Sequence, residues 1–443
     1  MQKIKISKEN NMQKKISVFF TFIFLSFLFY SCKSTSTLEV DLNHFADGSE
    51  ILTSCNQFQN KDTILLTFAG DLMAHSNVTR PRDFTKIYES VKNYFSESDF
   101  TFANFETPLL EEKPYSSYPN FNVHSDYANA AIMSGINVFC LANNHTNDQG
   151  LEGIKSTLNF FEDEIEKSKN SARKIYACGI KKEASSPLTY QILEKTVNYE
   201  IPVPVTEEKK SSRKKNKISF QMQKMQHNWK ILFLSVTEIL NRNDYSSYID
   251  FVSPGKKSRE KFLSQLKILK EEHKPDLFVL GFHCAEAEYV RTVPENQKKF
   301  YNEIIKSGVD VLWINHAHVT KNWELLQDEN GIARKAIFYG MGNTISGQRS
   351  APDFEAPNDY WDYTGDALLC QLRFQKDEDG IKIVQSNPVF ITTYITPSYR
   401  YVIKKLDDEF IQELNSLGIK KWPSYLEQRK KLMEEIKGST RKF

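Results

Sequence analysis

The stretch INVFCLANNHTNDQG, residues 136–150, joins an apolar run to a polar cluster and ends in a glycine. The run from Ile136 to Ala142 predicts a buried strand. Other apolar runs also end in polar residues. The six polar clusters are Gly70-Asp71, Asn104-Phe105-Glu106, Asn143-Asn144-His145, His283, His316-Ala317-His318 and Gly342-Asn343. Because an open α/β sheet presents its strand ends at one edge, the clusters predict one shared site there.

Strands and helices alternate along the chain. Apolar runs predict buried strands at Ile64–Ala69, Phe100–Ala103, Ile136–Ala142, Ile231–Val236, Leu277–Phe282, Val309–Ile314 and Ala336–Tyr339. Helical spacing with glycine and proline signals predicts helices at Leu151–Lys167, Ser258–His273 and Glu295–Ser307. Further strands are expected at Ile218–Met225, Leu368–Phe374 and Ile381–Phe390. This alternation predicts an α/β fold with layered sheets.

The N-terminal region has the features of a secretory signal. Two lysines precede the apolar run from Ile16 to Tyr30, and a small residue then precedes Cys32. We expect residues 1–31 to be a signal peptide of the lipoprotein type, with translation starting at Met1 or Met12, and Cys32 to be lipidated. A plain signal peptide or an uncleaved anchor are the alternatives, although the run is short for a full span.

The remaining chain divides by composition. Residues 32–60 are polar and aperiodic and are expected to be a tether. Residues 61–400 would form the main domain, and residues 401–443 a charged helical extension. The run EEKKSSRKKNK, residues 207–217, is either a solvated loop or a basic face that touches anionic lipid. Residues 346–366 read as a long loop beside the site.

Net charge and cysteine positions indicate which partners and which thiol states to expect. The chain has 443 residues and a formal net charge of +2, so we do not expect nucleic acid as a partner. Cys140, Cys284 and Cys370 lie in or beside apolar runs and are expected to be core thiols. Cys55 and Cys178 could pair in an oxidising compartment, and the sequence leaves this open.

Carboxylates and amides follow the first runs. Asp71 is a natural metal ligand, and Gly70 before it permits a sharp turn. Glu106 is the best candidate for a carboxylate that reaches between two metals, and Asn104 could orient it. The amide oxygen of Asn144 can also bind a metal. Asp, Glu, Asn and His together are hard and borderline ligands that suit a pair of divalent ions.

Histidines follow the later runs. His283 ends DLFVLGFH, and His316 and His318 end VLWINHAH. Alternate residues of an extended segment point the same way, so His316 and His318 could serve one metal site. A lone histidine at a strand end is more often structural, but several at such positions favour a site. Asn343 closes FYGMGN, whose glycines permit close backbone approach.

His145 and Asp148 could supply acid–base chemistry. The imidazole of His145 stands next to the amide ligand candidate and can protonate a leaving group. Asp148 follows three residues later, where its carboxylate could orient the imidazole by hydrogen bonding.

These motifs, in this order, resemble the CapA-type capsule-synthesis family, also called poly-γ-glutamate biosynthesis proteins. The matches are GD at 70–71, NFETPL at 104–109, ANNHTNDQG at 142–150, HAHV at 316–319 and YGMGN at 339–343. The resemblance spans residues 62–395, and the NNH-x-x-D-x-G element is its most specific part.

The resemblance implies a fold and a ligand set. The family looks like a branch of the calcineurin-like metallophosphoesterases, which implies a layered α-β-β-α sandwich with its site at the sheet edges. It also implies a centre of two divalent metal ions, Mn, Fe or Zn, with His145 as the general acid. The implied metal ligands are Asp71, Glu106, Asn144, His283, His316 and His318.

The chain departs from the family pattern at three places. Met73 stands where many two-metal phosphoesterases carry the histidine of Asp-x-His, and His75 either substitutes for it or is a loop histidine. The usual His-Trp-Gly-x-Glu-Tyr element reads HCAEAEY at 283–289, where Glu288 keeps the role of the glutamate. Asn315 replaces the usual glycine before His-x-His.

Different functional classes remain open. A hydrolase would use two metals to activate a water and clamp a phosphoryl or acyl group. A non-catalytic, metal-containing assembly factor would instead bind an anionic surface polymer or its precursor, alongside capsule-synthesis membrane proteins. A third interpretation is amide-bond chemistry on poly-γ-glutamate or peptidoglycan peptides. The N-terminal signal and Cys32 predict a lipid-anchored protein of the cell envelope, outside the cytoplasm.

Overall fold

The computed structural model describes residues 37–41, 61–204 and 217–443. The signal sequence, Cys32, Cys55, most of the tether and nearly all of the basic run lie outside these residues. The chain divides into two compact units, residues 1–62 with 196–228, and residues 63–195 with 229–443. Among the described residues, no helix combines the length and apolar character that a membrane span requires.

The described strands and helices follow the alternation that the sequence predicts. The strands are β1 Thr37–Asp41, β2 Thr63–Leu72, β3 Phe100–Phe105, β4 Val138–Cys140, β5 Tyr176–Cys178, β6 Gln191–Pro204, β7 Lys217–Thr237, β8 Leu277–His283, β9 Val311–Asn315, β10 Trp323–Gln327, β11 Ala333–Phe338, β12 Asn343–Ile345, β13 Asp366–Asp377, β14 Gly380–Ile395, β15 Tyr401–Lys405 and β16 Gly438–Lys442. The helices are α1 Ser76–Thr79, α2 Lys92–Ser96, α3 Ser125–Met133, α4 Gly150–Ser168, α5 Lys256–His273, α6 Glu295–Lys306, α7 Tyr360–Tyr363, α8 Asp408–Ser416 and α9 Trp422–Glu434.

The strands form two sheets. The first sheet has the order β15-β14-β13-β2-β3-β4-β5, with β12 also paired to β2. The second has the order β1-β7-β8-β9-β11-β10-β16, with β6 also paired to β7. Strands β2 to β5 are parallel, and so are β7, β8, β9 and β11. Each parallel set therefore brings the carboxyl ends of its strands to one edge.

Aromatic side chains join the two sheets face to face. Phe68 of β2 lies 6.0 Å from Trp313 of β9 and 5.4 Å from Phe338 of β11, measured between ring centres. Phe102 of β3 lies 5.4 Å from Phe233 of β7. Because both faces of these central strands are covered, the strands carry continuous apolar runs, and these are the runs that the sequence shows.

Helices cover the outer face of each sheet. Phe161 of α4 packs in one core with Phe105 and Phe139 of the first sheet. Phe262 of α5 and Ile304 of α6 pack in another core with strands of the second sheet. The order of layers is helix, sheet, sheet, helix, so the predicted α-β-β-α sandwich is confirmed.

Two segments differ from the sequence prediction. Residues 37–41, expected in the polar tether, form β1, which pairs with residues 217–221 of β7. Leucine and valine alternate with polar residues in TLEVD, which suits a strand. Residues 401–443, expected to be helical, also give β15 to the first sheet and β16 to the second. Tyr401 and Ile403 alternate with less buried neighbours, as a strand with one covered face requires.

The described cysteines are buried free thiols. Cys140, Cys284 and Cys370 lie in the core, so the prediction of core thiols is confirmed. Cys178 is also free and buried, and its suggested partner Cys55 lies outside the described residues.

Candidate metal centre

The polar clusters converge where the carboxyl ends of β2 and β3 meet those of β8 and β9. All of the predicted ligand side chains are buried, with residue exposures between 0% and 2%. They are Asp71, Glu106, Asn144, His283, His316 and His318. Such a concentration of buried titratable groups is rare unless the groups are paired or bind a cation.

The donor atoms fall into three groups whose members lie within 4.8 Å of one another. One group is Glu106, His283 and His316, and a second is Asp71, Glu106 and His318. A third contains Glu288, His316 and His318. Glu106, His316 and His318 each belong to two groups. Glu106 is the carboxylate among them, and its two oxygens suit a ligand that bridges two cations.

Asn104 ties the carboxylates together. Its Nδ2 donates to Oδ1 of Asp71 at 2.8 Å and to Oε2 of Glu106 at 2.9 Å. The sharp turn expected at Gly70 is absent, because β2 continues to Leu72. Glycine is required there by close approach, since a Cβ on Gly70 would collide with the carbonyl oxygen of Gly342. That carbonyl accepts a hydrogen bond from the Asp71 N–H at 3.1 Å. Backbone and amide contacts therefore fix both carboxylates before any cation binds.

The imidazoles come from the second sheet. His283 ends β8, and its Nε2 lies 2.9 Å from Oδ1 of Asn144 and 3.8 Å from Oε1 of Glu106. The ring of His316 lies 4.9 Å from that of His283 and 5.9 Å from that of His318. Asn144 is thus next to the first donor group, where its oxygen could serve as a further ligand.

The prediction that His316 and His318 lie on an extended segment is wrong. Strand β9 ends at Asn315, and the φ angles are +101° at His316 and +56° at His318. The two residues therefore lie in a tight turn with left-handed backbone, not on an extended segment. The turn brings both side chains into one donor group. Non-glycine residues in this region are strained, and such strain is typical of functional sites.

A buried ion pair holds the two histidine segments. Lys321 Nζ lies 2.6 Å from Oε2 of Glu286, and both side chains are buried. The hydroxyl of Tyr301 also donates to Glu286. The N–H of Tyr289 donates to the Ala317 carbonyl at 2.8 Å. The HCAEAEY segment and the segment after β9 are therefore joined at several points.

The electrostatics of the cluster favour a cation. Burial and the nearby Asp71 carboxylate raise the pKa of Glu106 well above its ordinary value. Burial and neighbouring imidazoles lower the pKa of His283 and His316. Burial acts in the same direction on His318, but the hydrogen bond and charge of Asp71 outweigh it and raise the pKa of that imidazole.

Two buried atoms provide a direct test of fit for a metal. Oε1 of Glu106 and Nδ1 of His316 have no hydrogen-bond partner among the described residues. An unpaired buried carboxylate oxygen is costly, and a divalent cation would satisfy it. The donor set of carboxylate, imidazole and amide groups suits Mn, Fe or Zn. The residues present fit a metal site.

His145 and Asp148 form a pair beside the donor groups. Nδ1 of His145 lies 2.7 Å from Oδ2 of Asp148, and both side chains are buried. The same oxygen accepts the N–H of Phe121 at 2.8 Å, and the Phe121 ring lies 4.7 Å from the imidazole. Asp148 is thus placed to orient His145, as the spacing predicts.

Asn241 is a contact that the sequence interpretation missed. Its Oδ1 accepts from Nδ2 of Asn144 at 3.2 Å, and its Nδ2 lies 3.3 Å from Nδ1 of His145. Asn241 follows β7, whose apolar run ends in TEILN. Asn241 follows this run in the same way that the other site residues follow theirs, so the sequence did contain a signal for it.

His75, Asn343 and Glu288, which were expected to support the site, differ in how they contact it. His75 is in none of the donor groups found among the described residues, and its Nδ1 accepts the N–H of Gly347 at 3.3 Å. Burial and the charges of His318 and His145 lower the pKa of His75 to about 3. Oδ1 of Asn343 lies 3.0 Å from Nδ1 of His318. Glu288 lies inside a donor group and is itself a possible ligand.

Known proteins similar to this chain include capsule-synthesis proteins. The family described as "Bacterial capsule synthesis protein PGA_cap" matches residues 65–348. The PGA biosynthesis protein CapA of Bacillus subtilis (strain 168) is 22% identical over 325 residues, 72% of this chain and 70% of that protein. The capsule biosynthesis protein CapA of Bacillus anthracis is 22% identical over 347 residues, 75% of this chain and 69% of that protein.

Two solved structures are similar to this chain at low sequence identity. A novel phosphatase of Mycoplasma pneumoniae has a TM-score of 0.39 and 14% identity, covering 76% of this chain and 96% of that chain. The calcineurin-like phosphoesterase YfkN from Bacillus subtilis has a TM-score of 0.37 and 13% identity, covering 75% and 91%. The predicted resemblance to CapA proteins is confirmed by the family match. This chain belongs to the bacterial capsule synthesis protein family PGA_cap.

Proposed function

We propose that this protein is a metal-dependent phosphoester hydrolase of the cell envelope that acts in the synthesis, export or anchoring of a surface polymer. The observation that carries the proposal is that Glu106, a carboxylate with two oxygens, belongs to two fully buried donor groups. A carboxylate shared in this way is what a centre of two ions requires. Membership in a capsule synthesis family supports the polymer context.

Two of the three donor groups, the two that contain Glu106, define the proposed ligands. Glu106, His283 and His316 would hold one cation, with the oxygen of Asn144 nearby. Asp71, Glu106 and His318 would hold the other. Nδ1 of His318 faces Asp71 and Asn343, which leaves Nε2, 3.7 Å from Glu106, as the ligand atom. Bound divalent ions would polarise phosphoryl oxygens and lower the pKa of an attacking water.

His145 would supply the proton for the leaving group. Its Nδ1–H donates to Asp148, which fixes the tautomer and leaves Nε2 to exchange the proton. In hydrolysis, the water oxygen forms a new bond to phosphorus as the bond to the leaving oxygen breaks. The leaving oxygen takes the proton from Nε2 of His145, and the proton released by water restores it.

Met73 favours a second candidate function. It is buried at the position where the family of two-metal phosphoesterases usually has a histidine, and His75 lies in no donor group found among the described residues. The Asp71 side therefore has one imidazole fewer. A centre of this kind suits a metal-containing factor that binds an anionic surface polymer or its precursor without turnover.

Metal and activity measurements separate the candidates. The full-length protein is purified, its bound metal is quantified, and phosphodiester and γ-glutamyl substrates are screened. If the protein is a hydrolase, we expect the wild type to contain bound metal and to cleave a phosphodiester. We expect His316→Gln to lose both the metal and the cleavage. The matched control is His124→Gln, because His124 is partly exposed and pairs with Glu111 outside the centre. Bound metal without any turnover would favour the assembly factor instead.

The envelope location rests on the N-terminal sequence. We propose that Cys32 carries the lipid anchor and that the membrane is a partner through it. Cys32→Ser should leave the protein unprocessed and unlipidated, as measured by mass spectrometry and by partition into detergent. Unchanged processing and membrane association would contradict the anchor. Capsule-synthesis membrane proteins would be partners at the same surface.

A further inference from the structure

Three aromatic side chains lie against one another on the His318 side of the metal centre. The ring of Tyr289 is 6.1 Å from His318, 5.7 Å from Tyr360 and 5.1 Å from Trp361. Tyr360 and Trp361 are 4.8 Å apart. Tyr289, Tyr360 and Trp361 are called the aromatic platform below. The platform begins beside a candidate metal ligand and extends away from it.

The platform is exposed where folding would ordinarily bury such side chains. Tyr360 is 47% exposed and Trp361 is 40% exposed. The other four tryptophans are at most 8% exposed: Trp229, Trp313, Trp323 and Trp422. Exposed aromatic faces that adjoin a polar site mark a place where a ligand is bound, because covering them is favourable.

Hydrogen bonds connect the platform to the metal centre. Oδ1 of Asn343 lies 3.0 Å from Nδ1 of His318, and Nδ2 of Asn343 donates to Oε1 of Gln348 at 2.7 Å. Nε2 of Gln348 then donates to the hydroxyl of Tyr289 at 3.2 Å. Nδ2 of Asn343 also donates to the Thr364 carbonyl, just after α7, at 2.9 Å. The platform therefore has a fixed position relative to the reacting centre.

A buried charge cluster clamps the segment that carries Tyr360 and Trp361. Arg349 lies 2.8 Å from one oxygen of Asp366, and Arg429 of α9 lies 2.6 Å from the other. All three side chains are at most 1% exposed. The segment is thus tied at both ends and packed under α9, which is the support that a precise binding site needs.

The chemistry of the platform points to a sugar. A pyranose ring presents a face of weakly positive C–H bonds, and the π-faces of tyrosine and tryptophan carry partial negative charge. The three rings are tilted by 37–49° to one another, so they offer adjoining faces and not one flat stack. Their hydroxyl and indole N–H groups can also bond sugar hydroxyls.

We propose that the aromatic platform binds a sugar ring of the substrate and that the hydrolysed phosphoester is attached to that sugar. The inference rests on the proposed function, because it places the phosphoryl group at the donor groups. A polyanion such as a γ-glutamyl chain fits the platform less well. Its carboxylates would lie along phenol and indole faces and would meet the carboxylate of Glu288, which adjoins Tyr289.

Tryptophan quenching tests the proposal without requiring turnover. Since Trp361 is the most exposed of the five tryptophans, iodide quenching of intrinsic fluorescence reports mainly on it. The full-length, Mn²⁺-loaded protein is titrated with glucose 1-phosphate, glycerol 3-phosphate and a γ-glutamyl tripeptide. We expect saturable protection from quenching by glucose 1-phosphate alone. Tyr360→Ala should raise the half-saturating concentration of glucose 1-phosphate about tenfold, because the variant lacks one aromatic face.

The control is Tyr399→Ala, which removes a tyrosine that is 81% exposed and lies between β14 and β15. It should leave protection unchanged. Equal protection by glycerol 3-phosphate, protection by the γ-glutamyl peptide alone, or no effect of Tyr360→Ala would overturn the platform assignment. Metal content and phosphodiester cleavage are measured on the same samples. Absence of metal or cleavage would count against the proposed function, whereas absent protection counts against the sugar subsite.

Discussion

The two sheets contribute halves of the centre that are held in different ways. The carboxylate half consists of Asp71, Asn104 and Glu106 from the first sheet, and one amide donates to both carboxylates. The imidazole half consists of His283, which ends β8, and of His316 and His318, which follow β9 of the second sheet. Two of its residues have positive φ angles. Each half has one buried atom without a hydrogen-bond partner among the described residues, Oε1 of Glu106 and Nδ1 of His316.

The difference indicates which half depends on a cation. Hydrogen bonds already satisfy most of the carboxylate half, so its geometry is set by the fold. The strained turn at His316 and His318 costs about 1–3 kcal/mol per residue, and surrounding contacts must offset that cost. The Glu286–Lys321 ion pair is one such contact, and metal binding would be another. We therefore expect the imidazole half to loosen first when metal is removed.

The largest expected effect lies outside both halves. His145→Ala should lower phosphodiester turnover by about 10²–10⁴, because a positioned general acid is typically worth that factor. Metal content should stay at the wild-type level, since His145 pairs with Asp148 and belongs to no donor group found among the described residues. Both quantities are measured on one preparation. Metal loss as large as that of His316→Gln would show that His145 is a ligand instead.

A smaller effect is expected from two amides, Asn104, which bonds the two carboxylates, and Asn343, which contacts the His318 imidazole. Asn104→Leu should weaken metal affinity about 10–100-fold, because it leaves two adjacent carboxylates without their shared donor. Asn343→Leu removes one contact to His318 and should weaken affinity less. Competition with a fluorescent chelator measures both constants. An equal or larger loss in Asn343→Leu would contradict the view that the carboxylate half is the preorganised one.

Much of this arrangement could be predicted from the sequence, because the signals are local. Apolar runs and glycine or proline stops placed the long helices within two residues, as in Ser258–His273 against the observed Lys256–His273. Polar residues at strand ends were expected to meet, since parallel strands share an edge. The clusters that follow β2, β3, β8 and β9 do converge.

Other features depend on partners that are distant in sequence. Arg429 pairs with Asp366 from 63 residues away, so nothing local marks this arginine as part of the core. Strand β16 pairs with β10, and its sequence GSTRK carries no apolar run. The platform residues Tyr360 and Trp361 lie in a segment that reads as a loop, and only the fold places them beside His318. The tight turn at His316 is likewise invisible to a pattern of alternating residues.

The smallest effect is a local change on metal removal. Chelation with EDTA should increase amide hydrogen exchange in residues 283–290 and 315–321, while the ends of β2 and β3 change little. The reason is that the imidazole half carries the strained turn, whereas the hydrogen bonds from Asn104 hold both carboxylates with or without a cation. Mass spectrometry of exchanged peptides measures both regions at once. Equal deprotection of β2 and β3 would remove the distinction between the halves.

The most direct test of the central claim is the metal stoichiometry of the wild-type protein and of Glu106→Gln. Glu106 belongs to two donor groups, and glutamine preserves its shape while removing the charge. We predict two divalent ions per chain in the wild type and in the His124→Gln control, measured by mass spectrometry of dialysed protein. Glu106→Gln should hold at most one. A wild-type chain with a single ion, or a Glu106→Gln variant that retains two, would contradict a shared carboxylate at the centre of this site.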